Sequence, residues 1–371
     1  MRIFKLSILV LALAVLTSAC TVTTTSNSNK KAPDNDSSVF LSVDSGDTWR
    51  ALTSLLNISD RPENISSLNV NKMTIDPSDN MAVYLASFDN GLYYTYKITE
   101  GWNKVKNLPD ATINDVKVDP KDKCNIYVAL ANQVHRSTDC GRVWKQVYFD
   151  NNVEVAVNTI VVDHYNTNNL YIGTSRGEII KSIDQGKSWR TIKRLEQGIS
   201  QLANSPLDSR LLFVATVHNR IFSFISNTIT NPKNSTDIEN NFIVESWLDI
   251  NDLLNSFSLG NNFRDLAVSV QDGTILLATD KVILRSNDDG VSWEKLNLIP
   301  SEKDAVINSL VVDPKNSQNI YYVTNTTFFR SNDGGVSWTT KKLPTKRAGN
   351  ELLIDFNNPN VIYLGTIKLK K

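Results

Sequence analysis

Side chains that could carry out catalysis are few and scattered in this chain. Its 371 residues contain three His (His135, His164 and His218) and three Cys, which leaves little for a metal site. No HExxH, GxxxxGK[ST], GxSxG or CxxC motif occurs. A glycosidase needs two carboxylates at a set separation, but the 39 acidic residues are too many and too scattered to nominate a pair. We therefore expect no enzyme activity, no cofactor and no metal.

The first twenty residues have the features of an export signal. Arg2 and Lys5 precede the apolar run 6–16, which is too short to span a bilayer, and small residues lead to Cys20. The segment resembles a bacterial lipoprotein signal, so we expect signal peptide over 1–19 and lipidation of Cys20. Thr17 stands where that pattern has an aliphatic residue. The alternative is an ordinary secretory signal with an incidental Cys, which would make the protein secreted or periplasmic.

The segment 20–38 is predicted to be a flexible tether, because it contains almost nothing apolar that could offset the entropy of ordering. These features predict an extracytoplasmic protein of the bacterial cell envelope that is anchored to a membrane by lipid.

Charge argues against nucleic-acid binding. Lys plus Arg and Asp plus Glu are each 39, so the formal charge is zero, whereas a nucleic-acid binder shows a basic excess or stripe. A hydrophobic fraction of 41% with 21% charged residues is typical of a globular protein.

The seven Trp residues mark an internal repeat. They lie at 49, 102, 144, 189, 247, 293 and 338, mostly about 45 residues apart, which is the length of one four-stranded propeller blade. Five of them end the octet Ser-x-Asp-x-Gly-x-x-Trp. We expect its Asp to accept N–H bonds in a tight turn and its Trp to attach the outer strands to the next sheet. These predicted structural residues are Asp44, Trp49, Asp139, Trp144, Asp184, Trp189, Asp288, Trp293, Asp333 and Trp338.

A second motif recurs seven times, as two apolar strands around an Asp-Pro-type turn. Examples are VKVDPKDKCNIYVAL from Val116 and LVVDPKNSQNIYYVT from Leu310. The last copy, from Leu352, has two strands and then ends, while the first octet follows a lone strand from Val39. We predict an all-β, seven-bladed β-propeller of four-stranded blades over 39–371, closed by pairing the N-terminal strands with the C-terminal blade. No helical period persists for three turns, although 191–201 could hold one.

Two repeats have lost the octet. ITEGW before Trp102 keeps a Gly, and FIVESW before Trp247 keeps only the Trp. The second repeat also carries a polar insert over 227–241, which predicts a protruding loop.

Chain direction separates two faces of the predicted ring. The Asp-Pro turns and the octets fall on one face. The loops between second and third strands and the connections between blades fall on the other, where variable loops on a rigid scaffold usually bind ligands. A solvated loop charge is the alternative for each candidate. The predicted partner-binding residues on that face are Arg176, Glu178, His218, Arg220, Lys281, Lys346 and Arg347.

Cys124 and Cys140 lie symmetrically about the centre of one predicted hairpin, so their side chains could approach across the strands. A disulfide is favoured in an oxidising envelope compartment, and two buried thiols are the alternative.

These motifs resemble the Asp-box, or bacterial neuraminidase repeat, β-propeller superfamily over 39–371. With the lipoprotein signal and one ring, the chain is most similar to the photosystem II assembly and stability factor-like propellers, and the sortilin propeller shares the boxes. The resemblance implies the fold and says little about activity. The early Arg-Ile-Pro motif of sialidases is missing. The photosynthetic members are associated with a basic patch, and this sequence shows no comparable concentration of Lys and Arg.

Three functions remain open at this point. The first is a non-catalytic scaffold that binds an envelope or membrane protein. The second is a glycan-active propeller, either a sialidase-like glycoside hydrolase or a carbohydrate-binding protein, which a convergence of carboxylates, Tyr and Arg at the channel mouth would favour. The third is a periplasmic structural protein with no discrete ligand.

Overall fold

The structure is a computed structural model that describes residues 36–56, 63–230, 241–299 and 306–369. The predicted signal peptide, Cys20 and most of the predicted tether lie outside these residues. Within them, the chain forms 28 strands in seven four-stranded antiparallel sheets, which confirms the all-β propeller prediction. No helix among the described residues has the length and hydrophobicity needed to cross a bilayer.

Each blade is numbered by the order of its innermost strand, and the strands are numbered along the chain. Blade 1 is β3 Val70–Asp76, β4 Asp79–Ser87, β5 Leu92–Thr95 and β6 Asn103–Lys104. Blade 2 is β7 Ile113–Asp119, β8 Asp122–Leu130, β9 Gln133–Ser137 and β10 Lys145–Phe149. Blade 3 is β11 Val157–Val162, β12 Leu170–Thr174, β13 Glu178–Ser182 and β14 Arg190–Arg194. Blade 4 is β15 Ile199–Asn204, β16 Leu211–Thr216, β17 Ile221–Thr230 and β18 Asn241–Asp249.

After the short helix α1 Asn251–Leu254, blade 5 is β19 Phe263–Val268, β20 Ile275–Thr279, β21 Ile283–Ser286 and β22 Glu294–Lys295. Blade 6 is β23 Ser309–Asp313, β24 Asn316–Val323, β25 Thr327–Ser331 and β26 Thr339–Lys342. Blade 7 is β27 Ala348–Ile354, β28 Ile362–Ile367, β1 Val39–Ser42 and β2 Arg50–Ala51.

Blade 7 combines strands from both ends of the described chain. Its order is β2-β1-β28-β27, with Val39 opposite Gly365 and Ser42 opposite Ile362. The pairing closes the ring as predicted and leaves β1 and β28 without free edges. Ser38, assigned to the tether from sequence, is fully buried here, and its carbonyl accepts a bond from Thr366 N–H at 2.8 Å.

Tryptophan holds every junction between blades. Buried apolar side chains of the described residues form seven clusters, one between each pair of neighbouring blades, and each contains one Trp. Trp102 Nε1 donates to Leu52 O at 2.9 Å and Trp338 Nε1 to Asn297 O at 2.8 Å. Both contacts run to the preceding blade. The sequence-based expectation that Trp packs on the next sheet was therefore wrong in direction.

The octet forms a hydrogen-bonded turn in each of the five blades that keep it. In blade 7, Asp44 accepts bonds from Thr48 N–H at 2.8 Å and Thr48 Oγ1 at 2.6 Å, while Ser42 Oγ accepts from Gly46 N–H at 2.7 Å. These bonds, from the Thr48 hydroxyl first, lower the pKa of Asp44 to about 2. Blade 2 has Val143 at the hydroxyl position, so Asp139 accepts the backbone bond from that residue, at 2.9 Å, and lacks the hydroxyl bond.

Three blades add an Arg that reaches the next blade's octet. Each Arg directly precedes the Ser of its own octet, and its Nη1 donates to a backbone carbonyl of the neighbouring turn. The three contacts are Arg136 to Gln185 at 3.1 Å, Arg285 to Gly334 at 2.7 Å and Arg330 to Ser45 at 3.2 Å.

Two sequence-based expectations about local structure need comment. The segment 191–201 contains the end of β14 and the start of β15 and no helix, so the helical expectation was wrong. In the predicted loop 227–241, residues 227–230 continue β17 and pair with β18 as far as Thr230 opposite Asn241, while 231–240 lie outside the described residues. This hairpin is about twice as long as β13 and β14, the outer strands of blade 3.

Candidate functional site

The two faces of the ring carry different elements. We call one the Asp-box face, since it carries the octet turns and the turns between first and second strands. The other, the connection face, carries the loops between second and third strands and the connections between blades. This arrangement follows from the antiparallel order of every sheet.

Two predicted residues, Arg176 and Glu178, meet on the connection face of blade 3. Arg176 Nε donates to Glu178 Oε1 at 2.5 Å and its Nη2 to Asp150 Oδ2 at 2.8 Å. Arg194 Nη2 reaches the same Glu178 oxygen at 2.8 Å. Glu178 is 1% exposed, whereas the side chains of Arg176 and Arg194 are 42% and 67% exposed. A buried carboxylate thus holds two guanidinium groups at the surface.

Backbone geometry fixes this pair. Gly177, between the two predicted residues, has φ +100°, and a Cβ there would lie 2.3 Å from Leu195 O, so the turn excludes other side chains. Burial would raise the pKa of Glu178, but bonds from Thr174, Arg176 and Arg194 hold it below its ordinary value. The carboxylate is therefore ionised at neutral pH and does not act as a proton donor.

A groove lies beside this pair, between blades 3 and 4. It has a volume of about 330 Å³ and is lined by ends of β14, β16, β17 and β18. Lys193 Nζ lies 5.6 Å from the Trp247 ring, and Arg220 lies 5.2 Å from the Phe222 ring. We call this surface the arginine groove: Lys193, Arg194, Arg220, Phe222, Trp247 and Asp249.

Arg220, a predicted residue, is anchored in the arginine groove. Its Nη2 donates to Asp249 Oδ2 at 2.7 Å, and its side chain is 42% exposed. Burial would raise the pKa of Asp249, but bonds from Asn251 and Arg220 hold it below its ordinary value. Basic and aromatic side chains held in this way can bind a carboxylate next to an apolar group.

Three more predicted residues are exposed on the connection face but lie apart from these contacts. His218 is in the β16–β17 loop, Lys346 is in the connection before β27, and Lys281 is in the β20–β21 loop. Lys281 borders a cavity of about 380 Å³ whose lining does not include the residues of the arginine groove.

The seventh predicted residue, Arg347, is not a surface residue. It is 2% exposed, and it donates to Thr366 Oγ1 at 2.8 Å, to Asn69 Oδ1 at 2.9 Å and to Leu68 O. Thr366 also donates to Ser37 O at 2.8 Å. Arg347 therefore ties both ends of the ring and the connection before blade 1 together. Burial lowers its pKa, partly offset by Asp36.

Sequence reasoning missed Arg194 and Trp247 as groove residues. Arg194 lies in the stretch whose periodicity suggested a helix, and Trp247 was assigned only to packing. Arg194 in β14 and Trp247 in β18 belong to neighbouring blades. A single sequence does not indicate which residues of two blades lie side by side.

The central channel is lined by polar side chains, one from each innermost strand, which we call the polar ring: Lys72, Asp115, Thr159, Gln201, Asp265, Ser309 and Glu351. Six accept a bond from a backbone N–H of the next blade, as Asp115 does from Ile160 N–H at 2.8 Å. Lys72 cannot accept, and its Nζ instead donates to Glu351 Oε2 at 3.2 Å. Burial raises the pKa of Glu351 to about 7. The positive charge of Lys72 lowers this pKa, and the negative charge of Asp265 raises it.

The channel encloses a cavity of about 270 Å³, whose described lining contains neither Tyr nor Arg. The convergence of carboxylates, Tyr and Arg expected of a glycan-active channel is therefore incomplete. Among the described residues, no three His, Cys, Asp or Glu side chains lie close enough together to hold a metal ion.

Cys124 and Cys140 are joined on the Asp-box face of blade 2. The structure records a disulfide between them, with Cα atoms 3.8 Å apart, and Cys140 N–H donates to Cys124 O at 3.2 Å. Cys140 is the fourth residue of the blade 2 octet.

Comparison with known proteins places the chain among related folds. The family model of sortilin, neurotensin receptor 3, matches residues 281–370. No curated protein sequence matches the chain.

Several solved structures share the propeller. A GH74 xyloglucanase from Xanthomonas campestris superposes with a TM-score of 0.62 and 15% identity over 81% of this chain, which spans about half (51%) of that protein. YCF48 bound to D1 peptide gives 0.57 and 13% over 81% of this chain and 94% of that chain. YCF48 from Cyanidioschyzon merolae gives 0.54 and 11% over 81% and 95%. At these identities the likeness concerns the fold.

Proposed function

We propose that this Asp-box β-propeller is a non-catalytic scaffold, held outside the cytoplasm by lipid on Cys20, that binds an acidic segment of an envelope protein in the arginine groove. The observation that carries the proposal is the exposed guanidinium pair of Arg176 and Arg194, oriented by the buried Glu178. Such a pair is ready to bind a carboxylate without first being ordered. The similar propeller YCF48 has been solved with a bound peptide, which supports a protein partner.

The partner segment should combine an acidic residue with an apolar one. Asp or Glu would bind the guanidinium groups, and an apolar side chain would pack on Trp247 and Phe222, which line the arginine groove. Asp249 forms a salt bridge with Arg220. The positive charge of Arg220 therefore reduces the repulsion between Asp249 and an incoming carboxylate.

Photo-crosslinking in intact cells tests this proposal. Glu196 is exposed and lines the arginine groove, so a photoreactive residue there should capture one envelope protein. Capture should disappear when Arg176 and Arg194 are both changed to Glu. A crosslinker at Val291, which is 66% exposed on the Asp-box face, is the matched control and should not capture that protein. Equal capture from both positions would contradict the proposal.

Anchoring is tested separately. Cys20→Ser should move the protein from the membrane fraction to the soluble fraction of the cell envelope, with no change in the affinity of the arginine groove. Retention of the variant in membranes would contradict lipid anchoring through Cys20.

A second candidate function rests on Glu351. Burial raises the pKa of Glu351 to about 7, and Asp265 lines the same channel cavity; two carboxyl groups in one cavity are what glycoside hydrolases use. Hydrolysis of a glycan by the wild type, abolished in Glu351→Gln, would favour this function over the scaffold.

A further inference from the structure

A groove with a volume of about 700 Å³ lies between blades 1 and 2, on the Asp-box face. Blade 2 shows which side chains are missing from blade 1 at this groove. There, Asn125 Nδ2 donates to Asp119 Oδ2 at 2.7 Å, and Arg136 Nε donates to Asn125 Oδ1 at 2.7 Å. Asp119, Asn125 and Arg136 thus form a chain of hydrogen bonds that ends at the octet of blade 3.

Blade 1 lacks two members of that chain. In the strand register Tyr94 takes the place of Arg136, and Ala82 takes the place of Asn125. Asp76 remains and is 1% exposed. One of its oxygens accepts bonds from Ser78 N–H and Ser78 Oγ, both at 2.8 Å, and the other accepts none from the described residues. The second oxygen of Asp76 therefore borders the groove without a donor among the described residues.

The groove has aromatic walls and a basic rim. The rings of Tyr94 and Tyr96 lie 5.0 Å apart, and Tyr96 is 48% exposed. At the rim, Lys104 is paired with Asp110 at 2.6 Å and Lys123 with Asp79 at 3.8 Å. Lys106 and Arg142 also line the groove and are exposed, and no carboxylate side chain among the described residues forms a salt bridge with either.

We propose that this tyrosine groove (Asp76, Tyr94, Tyr96, Lys106 and Arg142) binds an acidic sugar, a hexuronic acid unit of a glycan. The C–H face of a sugar ring packs on an aromatic ring, its hydroxyls donate to the free oxygen of Asp76, and its carboxylate binds Lys106 and Arg142. An acidic peptide would match the rim, but its carboxylate side chains accept hydrogen bonds and cannot donate to Asp76 as sugar hydroxyls do. The volume lies within the range of small-molecule sites. The arginine groove lies on the opposite face, so this site is independent of the proposed function.

Isothermal titration of the full-length protein with trigalacturonate tests the site. We expect saturable 1:1 binding that neutral maltotriose does not reproduce, because maltotriose has no carboxylate for the rim. Tyr96→Ala should weaken binding about tenfold by removing an aromatic contact. Asp76→Asn should weaken it as well while keeping the bonds from Ser78, because the free acceptor becomes a donor.

The control is Tyr165→Ala, since Tyr165 is a 56% exposed Tyr on the same face, in the turn between the first and second strands of blade 3 and outside the tyrosine groove. This variant should bind like the wild type. Absence of trigalacturonate binding, or equal weakening by Tyr96→Ala and Tyr165→Ala, would overturn the proposal. Binding of a hexaglutamate peptide in place of trigalacturonate would also overturn it and would assign the groove to acidic peptides. Urea denaturation of each variant identifies any loss that results from unfolding.

Discussion

Five blades carry the Asp-box octet and two, blades 1 and 4, do not. All seven keep the Trp that fills the junction with the preceding blade, so the ring depends on that side chain and not on the box. The box adds a local network of hydrogen bonds, and three of the blades add an Arg contact to the next box. Both grooves described above adjoin a blade without a box. Loss of the box thus leaves the ring intact, and the tyrosine groove lies on the face from which blade 1 has lost its box.

The largest expected effect tests whether Trp supports the ring equally with and without a box. Trp102 in boxless blade 1 is 1% exposed, and Trp338 in boxed blade 6 is 9% exposed. We expect Trp102→Ala and Trp338→Ala each to lower the free energy of unfolding in urea by about 3–5 kcal/mol, through lost burial and the remaining cavity. A cost below about 1 kcal/mol for Trp102→Ala would show that boxless blades are held in another way.

The disulfide tests how blade 2 compensates for its weaker box. Val143 leaves that box without the hydroxyl bond, and the disulfide joins it to β8 across 16 residues. Replacing Cys124 and Cys140 by Ser should lower the free energy of unfolding by about 3 kcal/mol, mainly because the unfolded chain gains freedom. Reducing the wild type should have the same effect on the urea midpoint. Identical midpoints for oxidised and reduced protein would contradict this role.

Arg347 tests the closure that both kinds of blade share. Arg347→Met leaves acceptors at Thr366, Asn69 and Leu68 without their donor, and we expect a loss of about 2 kcal/mol. Lys346→Met, one residue earlier and exposed, is the control and should change stability by less than about 0.5 kcal/mol. Partner binding should be unchanged in both variants. If the folded Arg347→Met variant bound the partner more weakly while Lys346→Met did not, Arg347 would have to be counted as a partner-binding residue after all.

The smallest effects concern pH. The pKa values of Asp44, Asp184 and Asp333 in the boxes are held at about 2. Their ionised side chains therefore stabilise the folded state above pH 3.8, and this stabilisation is lost as the pH falls from 3.8 to about 2. Glu351 behaves oppositely, because burial raises its pKa from 4.5 to about 7. The folded state then binds more protons between these values, and stability falls as pH rises through that window.

Urea midpoints measured from pH 2 to pH 8 check both signs. Asp333→Asn should flatten the acid limb, and Glu351→Gln should remove the decline between pH 4.5 and about 7. An unchanged profile in Glu351→Gln would show that Lys72 keeps Glu351 ionised throughout.

The sequence was sufficient for the fold because its signals are local and repeated. The octet prescribes a turn through a few adjacent residues, and the repeated Asp-Pro strand pairs give the blade count and the shared closing blade. The two grooves were not predictable in this way. Arg194 meets Glu178 through the pairing of β14 with β13, and the free oxygen of Asp76 depends on Ala82 standing where blade 2 has Asn125. Such contacts depend on register and on neighbouring blades.

Exposure was equally hard to infer for single charges. Arg347 and Lys346 are adjacent in a basic connection, yet one is buried against the closing blade and the other is in solvent. The two residues differ in exposure because the side chain of Arg347 points toward Thr366 and that of Lys346 does not. The composition of the connection does not indicate this direction.

The most direct test of the central claim is the affinity of the captured envelope partner for charge-reversed proteins. Arg176→Glu with Arg194→Glu should weaken binding at least a hundredfold, since two oriented guanidinium groups are replaced by like charges. Lys187→Glu, an exposed charge in the octet turn of blade 3 on the Asp-box face, should leave the affinity unchanged. If the wild type, the Arg176→Glu and Arg194→Glu double variant and Lys187→Glu all bound the partner with equal affinity, the arginine groove would not be the binding site.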